Sequence, residues 1–187
     1  MYCASATDID PLYTQTAQQL GAIFAAKNIR LINGGGCIGL MRAMADEVLA
    51  HGGQVTGIIP QFMVEQRWHH TRLSKLIVVN SMHERKKTMA DLSDGAIALP
   101  GGCGTLEELL EIITWKQLGL YRKPIVILNT NNYFDPLLSM FKEAVKQGFM
   151  REYHPTLWEV AQTPLEAVNL LLNTPLWNTS IRKIQIQ

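Results

Sequence analysis

The chain has 187 residues, 47% hydrophobic and 18% charged, a composition typical of globular sequences long enough to bury a core. Its 17 basic and 16 acidic residues leave a formal charge of +1, which excludes a broad field for recruiting nucleic acid or an anionic membrane. Three cysteines, Cys3, Cys37 and Cys103, are an odd number without metal-type spacing, so a reducing compartment is expected rather than a disulfide framework.

The start, "MYCASATDID", lacks the basic and apolar regions of a signal peptide, and no apolar run is long enough to span a bilayer. A cytoplasmic protein is expected, with residues 1–187 forming one domain. Only Met1 to Ala4 precede the polar "SATDID", so either the first strand is very short or the natural start lies upstream. A helix, "PLYTQTAQQLGAIFAAKN", follows. "RLINGGG" predicts a strand over 30–33 ending in glycines, and "CIGLMRAMADEVLAHGG" spaces Ile38, Met41, Met44, Ala45, Val48 and Leu49 as a helix ending at Gly52-Gly53.

"QVTGIIP" and "LIVVN" (76–80) read as strands, and "SMHERKKTMADLSDG" as a helix with Ser81 at its N-cap. "AIALP" is a strand, "TLEELLEIITWKQLGL" a helix and "KPIVILN" a strand. "YFDPLLSMFKEAVKQGF" and "TPLEAVNLLLNT" close the series as helices, and the alternation fades only near Tyr153 to Pro155. Near-continuous apolar strands separated by helices predict a doubly wound, Rossmann-like α/β fold: a parallel sheet flanked by helices on both faces. Ligands of such folds bind beyond the carboxyl ends of the strands, where both glycine clusters, Gly34-Gly35-Gly36 and Gly101-Gly102-x-Gly104, are expected to lie.

A glycine-rich turn opening a helix offers backbone N–H groups beside the positive end of the helix dipole, an arrangement suited to phosphate. Its spacing here is neither G-x-G-x-x-G nor a P-loop, so neither a dinucleotide nor ATP is indicated. Thr105 and Glu108 have the spacing of a capping box, in which Glu108 would only bond back to the Thr105 amide. The competing reading is a catalytic carboxylate. Glu107 projects about 100° away from Glu108 around the helix, and Glu111 is expected on the solvated outer face. Cys37 and Cys103 read as small residues filling tight turns.

"PGGCGTLEE" resembles the PGGxGTxxE motif of the Lonely guy family, once called lysine decarboxylases, whose members are phosphoribohydrolases of cytokinin riboside 5′-monophosphates and often of AMP. "GGGCIGLM" at 34–41, "MHERK" at 82–86 and "YCAS" at 2–5 resemble further family motifs in the same order, so the resemblance spans roughly residues 2 to 175. The chain departs from the family in its short beginning and in Cys103, where plant members commonly carry an aromatic residue. The second departure bears on fine substrate preference rather than on the chemistry.

The resemblance implies hydrolysis of the N-glycosidic bond of a purine 5′-monophosphate, with Arg85 and Glu108 as the catalytic pair. A carboxylate can stabilise the oxocarbenium-like sugar, and an arginine can fork onto phosphate or polarise the leaving purine. Gly101, Gly102, Gly104 and Thr105 would then bind the 5′-phosphate, while Gly35 and Gly36 would let the nucleotide approach the backbone. Ser5, Met82 and Lys86 complete the expected substrate contacts, and His83 is expected to position or to face solvent. Neither a cofactor nor a metal is expected, because the adjacent His69 and His70 diverge and belong with Trp68 to a loop over the pocket or to an interface.

The old decarboxylase label would need a Schiff-base lysine such as Lys86 or Lys87, and a second domain to enclose its cofactor. The alternative function is a non-catalytic nucleotide or molybdenum-cofactor carrier, which would not need the Arg85–Glu108 pair. A homodimer or larger homo-oligomer is expected, because Ile112, Ile113, Trp115, Leu118 and Leu120 exceed one core-facing stripe.

Overall fold

Each strand sends alternate apolar residues to opposite faces, and in the computed structural model, which describes residues 1–178, both faces are covered. Leu31, Val55, Ile97 and Val126 pack with α1 (Pro11–Ala26), α2 (Gly39–Ala50) and α7 (Pro164–Asn173), around Leu20, Met44 and Val168. Ile32, Ile58, Ala98 and Ile127 pack on the other face with α4 (Met82–Leu92), α5 (Cys103–Leu118) and α6 (Asp135–Lys146), around Met89, Ile112 and Phe141. Period-two alternation with both parities buried is what makes these strands read as continuous apolar runs. Residues 179–187, included in the single-domain expectation, lie outside the described residues.

The sheet forms two parallel halves. One orders β1 (Leu31–Asn33), β2 (Val55–Pro60) and β3 (Lys75–Val79), and the other β4 (Ala96–Ala98), β5 (Ile125–Leu128) and β6 (Glu159–Ala161). Residues 1–4 join them. The Met1 nitrogen donates to the Ile32 carbonyl at 2.7 Å, Tyr2 bridges Ala98 in parallel, and Ala4 donates to Pro100 at 3.1 Å. The chain therefore winds outward in both directions from this segment, and the crevice at such a switch point is where ligands of open α/β sheets bind.

The helix starts follow local chemistry. Ser81 caps α4 by accepting from Glu84 N at 3.1 Å, as its sequence predicts, and Thr163 caps α7 by accepting from Glu166 N at 3.3 Å. The start of α5 differs from expectation. It begins at Cys103 with Gly102 at the N-cap, so Thr105 already lies inside the first turn and cannot head a capping box with Glu108. Two short elements are not evident in the sequence: α3 (Gln61–Glu65) and the three-residue β6, both too short for a periodic pattern to register. Near Tyr153, where the alternation fades, a 3₁₀ turn over His154–Leu157 leads directly into β6.

Candidate functional site

A cavity of about 660 Å³ opens at the carboxyl ends of the strands, beside the switch point. Its floor holds Arg85 and Glu108. Its sides come from the 3–6 segment, the turn after β1 (Gly36, Cys37, Ile38), the turn after β4 (Gly102–Thr105), and the apolar side chains of Met41, Met63, Trp68 and Met82.

Arg85 sits in the first turn of α4 and is only 6% exposed. Its Nε donates to the Ile58 carbonyl at 3.0 Å and its Nη2 to the Gly34 carbonyl at 2.9 Å, while Nη1 lies 3.5 Å from Glu108 Oε1. Two of its three nitrogens thus donate to main-chain oxygens and the third faces Glu108, so the planar fork is held on two sides by the backbone. Gly34 makes the contact possible, since a Cβ there would lie 1.7 Å from Nη2.

Glu108 is carried by α5, with its side chain 11% exposed. Burial pushes its carboxyl above the ordinary value of 4.5, against the downward pull of Arg85 and the Met1 nitrogen, while Glu107 adds an upward push and Lys86 a downward one. A carboxylate so placed is poorly solvated, so a cation forming beside it is stabilised more strongly than in water.

The glycines of the second turn divide by purpose. At Gly101 a Cβ would meet Thr105 Oγ1 at 2.2 Å and the Ala4 nitrogen at 2.9 Å, so the protein itself forbids a side chain. At Gly102 and Gly104 nothing lies within 4 Å. Both glycines line the cavity, so their missing side chains leave the backbone at the start of α5 less covered, which suits an anion approaching it.

The other expected contacts separate similarly. Ser5, Gly36, Met82, Gly102, Gly104 and Thr105 line the cavity, but Gly35 and Gly101 are not among its lining residues. Gly35 instead builds the turn: it has φ +72°, its N–H donates to Asn33 Oδ1 at 2.9 Å, and its carbonyl accepts from His70 at 2.8 Å. Lys86 also departs from expectation. It is buried and paired with Glu107 and, at 3.1 Å, with Glu111, so it is neutralised behind the wall, and Glu111 is not simply solvated.

Trp68 lines the cavity as a loop residue, but the neighbouring His70 is anchored. It is 5% exposed, with Nε2 3.0 Å from Asp46 Oδ1. Cys103 is exposed at the rim rather than filling a turn, and Cys37 faces the same space. Met63 and Gly39 were missed by sequence reasoning. Met63 comes from the unrecognised α3. Gly39, at φ +63°, lets Ser5 pack against the start of α2, since a Cβ would lie 2.5 Å from the Ser5 carbonyl carbon. Its place in "GGGCIGLM" was the available signal.

Residues 41–171 match the family described as "Possible lysine decarboxylase". A probable cytokinin riboside 5′-monophosphate phosphoribohydrolase of Oryza sativa subsp. japonica is 40% identical over 171 residues, spanning 91% of this chain and 70% of the relative. The cytokinin riboside 5′-monophosphate phosphoribohydrolase of Rhodococcoides fascians is 43% identical over 151 residues, covering 80% of this chain and 76% of the relative. Among solved structures, the molybdenum cofactor binding protein of Rippkaea orientalis superposes with a TM-score of 0.69 at 22% identity, covering 91% and 92% of the two chains. That likeness is one of fold, and it agrees with the parallel, doubly wound sheet.

Proposed function

Because the chain belongs to the Lonely guy family of phosphoribohydrolases, we propose that it hydrolyses the N-glycosidic bond of a purine nucleoside 5′-monophosphate. Water adds to C1′, the C1′–N9 bond breaks, and free base and ribose 5-phosphate leave. The observation that carries this reading is the buried Arg85–Glu108 pair on the cavity floor, 3.5 Å apart, beside a turn with open space over Gly102 and Gly104. Glu108 stabilises the positive charge developing at C1′ and orients the attacking water. Arg85 holds the carboxylate in place and keeps it ionised. The phosphate binds at the Gly102–Thr105 amides, and its binding energy places the sugar against Glu108. Ile38, Met41, Met63, Trp68 and Met82 form an adaptable wall suited to a purine carrying an apolar N6 substituent. Incubation with AMP and with its N6-isopentenyl derivative, followed by chromatography of the free bases, tests the activity. Release of neither base overturns the reading and leaves the carrier alternative.

The 5′-phosphate is expected to be essential for efficient turnover. Adenosine should show a kcat/KM at least about tenfold below that of AMP, since charge-assisted hydrogen bonds are the strong ones. Gly102→Ala should raise KM for AMP with only a small loss of melting temperature, because a Cβ there meets no protein atom and only the N-cap preference for glycine is lost. Equal kcat/KM for AMP and adenosine removes the phosphate from the turn.

The enzyme is further proposed to be a cytoplasmic homodimer or larger assembly. Its three cysteines are unpaired, which supports a reducing compartment. Ile112 and Ile113 are buried within the chain's own core, but Leu110, Leu118 and Leu120 of the same stretch are 40%, 49% and 74% exposed. That apolar face supports self-association. Light scattering should give at least twice the 21.0 kDa chain mass at micromolar concentration, and a monomer's mass would contradict the assembly.

A further inference from the structure

We propose that Tyr133, which lies outside the cavity lining, is a positioning residue that sets the orientation of the Gly102 amide for the substrate's phosphate. The proposal rests on the reading that the Gly101–Thr105 turn binds the 5′-phosphate. Tyr133 Oη donates to the Gly101 carbonyl at 2.8 Å. A trans peptide is planar, so the carbonyl of Gly101 and the N–H of Gly102 point in opposite directions. With the carbonyl held towards Tyr133, the N–H points the other way, away from Tyr133, and Gly102 is itself a lining residue of the cavity. A peptide between two glycines has little intrinsic preference for either orientation, so one hydrogen bond is enough to choose between them.

The segment that presents Tyr133 is firmly built. It follows β5, the strand beside β4, and so emerges next to the turn it contacts. Asn131 and Asn132 both adopt left-handed backbone, at φ +53° and +58°, a conformation that persists where the surroundings over-determine it. Asn129 supplies that bracing. Its Oδ1 accepts from Phe134 N at 2.7 Å, its Nδ2 donates to Asp135 at 2.8 Å, and its carbonyl accepts from Asn132 N at 3.1 Å. The Tyr133 ring packs edge-on against Tyr13 and Phe134, with centroids 6.0 and 5.2 Å away. This bracing holds the hydroxyl where the Gly101 carbonyl needs it.

Tyr133→Phe removes the hydroxyl and keeps the ring contacts, and Tyr13→Leu removes one ring contact while keeping the hydroxyl, the Phe134 contact and the Asn129 bracing. The measured quantity is the ratio of kcat/KM for AMP to that for adenosine, together with inhibition of adenosine hydrolysis by ribose 5-phosphate, which carries the phosphate but is not itself hydrolysed. Tyr133→Phe should lower the ratio and weaken ribose 5-phosphate inhibition by about tenfold, leaving adenosine turnover unchanged, as expected for one hydrogen bond. Tyr13→Leu should preserve both values. A wild-type preference for AMP that survives intact in Tyr133→Phe overturns the role of Tyr133 and leaves the phosphate site standing. An equal loss on both substrates also overturns it, since that marks general disruption. Absence of any wild-type preference defeats the phosphate site itself, and the role of Tyr133 with it.

Discussion

Glu108→Gln is expected to lower nucleotide hydrolysis by roughly a hundredfold or more, because electrostatic stabilisation of a developing charge is worth about 3 kcal/mol at such sites. The change keeps size and removes charge, and since Gly102 occupies the N-cap of α5, no helix cap is lost. Burial raises the folded carboxyl above its ordinary value of 4.5, so the folded state holds this proton more tightly than the unfolded chain does. Stability therefore falls as pH rises from the ordinary value through the raised one, and it is the ionised form at neutral pH that carries the burden. The glutamine variant should accordingly melt no lower than wild type at neutral pH, with any advantage fading below the ordinary carboxylate range. By the same logic, the acid limb of the wild-type pH–rate profile should have its midpoint above 4.5. Glu107→Gln is the control: that side chain is 54% exposed and paired with Lys86, which keeps Glu111 as a second partner, so activity should stay within about threefold of wild type. Near wild-type turnover by Glu108→Gln would remove the carboxylate from the mechanism.

Arg85→Lys is expected to cost a comparable factor, about a hundredfold, for a geometric reason. A single ammonium cannot bond the Ile58 and Gly34 carbonyls and face Glu108 at once, and each buried carbonyl left unpaired costs about 1–3 kcal/mol. Unlike Glu108→Gln, this variant should lose both activity and melting temperature. Gly34→Ala reaches the same result from the other side. Its Cβ would stand 1.7 Å from Nη2, so the guanidinium must leave its seat, although neither Arg85 nor Glu108 has been altered. Activity measured with thermal denaturation for both variants separates a displaced arginine from a cavity that is simply blocked. Full activity in Gly34→Ala would mean that the seat observed for Arg85 is not needed in catalysis.

The sequence by itself determined the order of the longer strands and helices, the placement of both glycine turns at strand ends, and the family, because those signals are local: alternation with both parities apolar, a Ser81 cap, glycines clustered at turns. Tertiary structure alone decided which side chains meet at those turns. Arg85 is singled out in the sequence by the family resemblance, but nothing in "HERKK" shows that it is buried by carbonyls 27 and 51 residues away, the second of which comes from the glycine that makes room for it. Lys86, its neighbour, turns instead to Glu107 and Glu111 behind the cavity wall. Met63 and Trp68 reach the site from a short helix and loop that carry no periodic pattern. The physical reason is the range of the interactions. Hydrophobic period and backbone freedom are set by a residue and its near neighbours, whereas the partner of a buried charge is set by which strand ends the winding of the sheet brings together at the switch point.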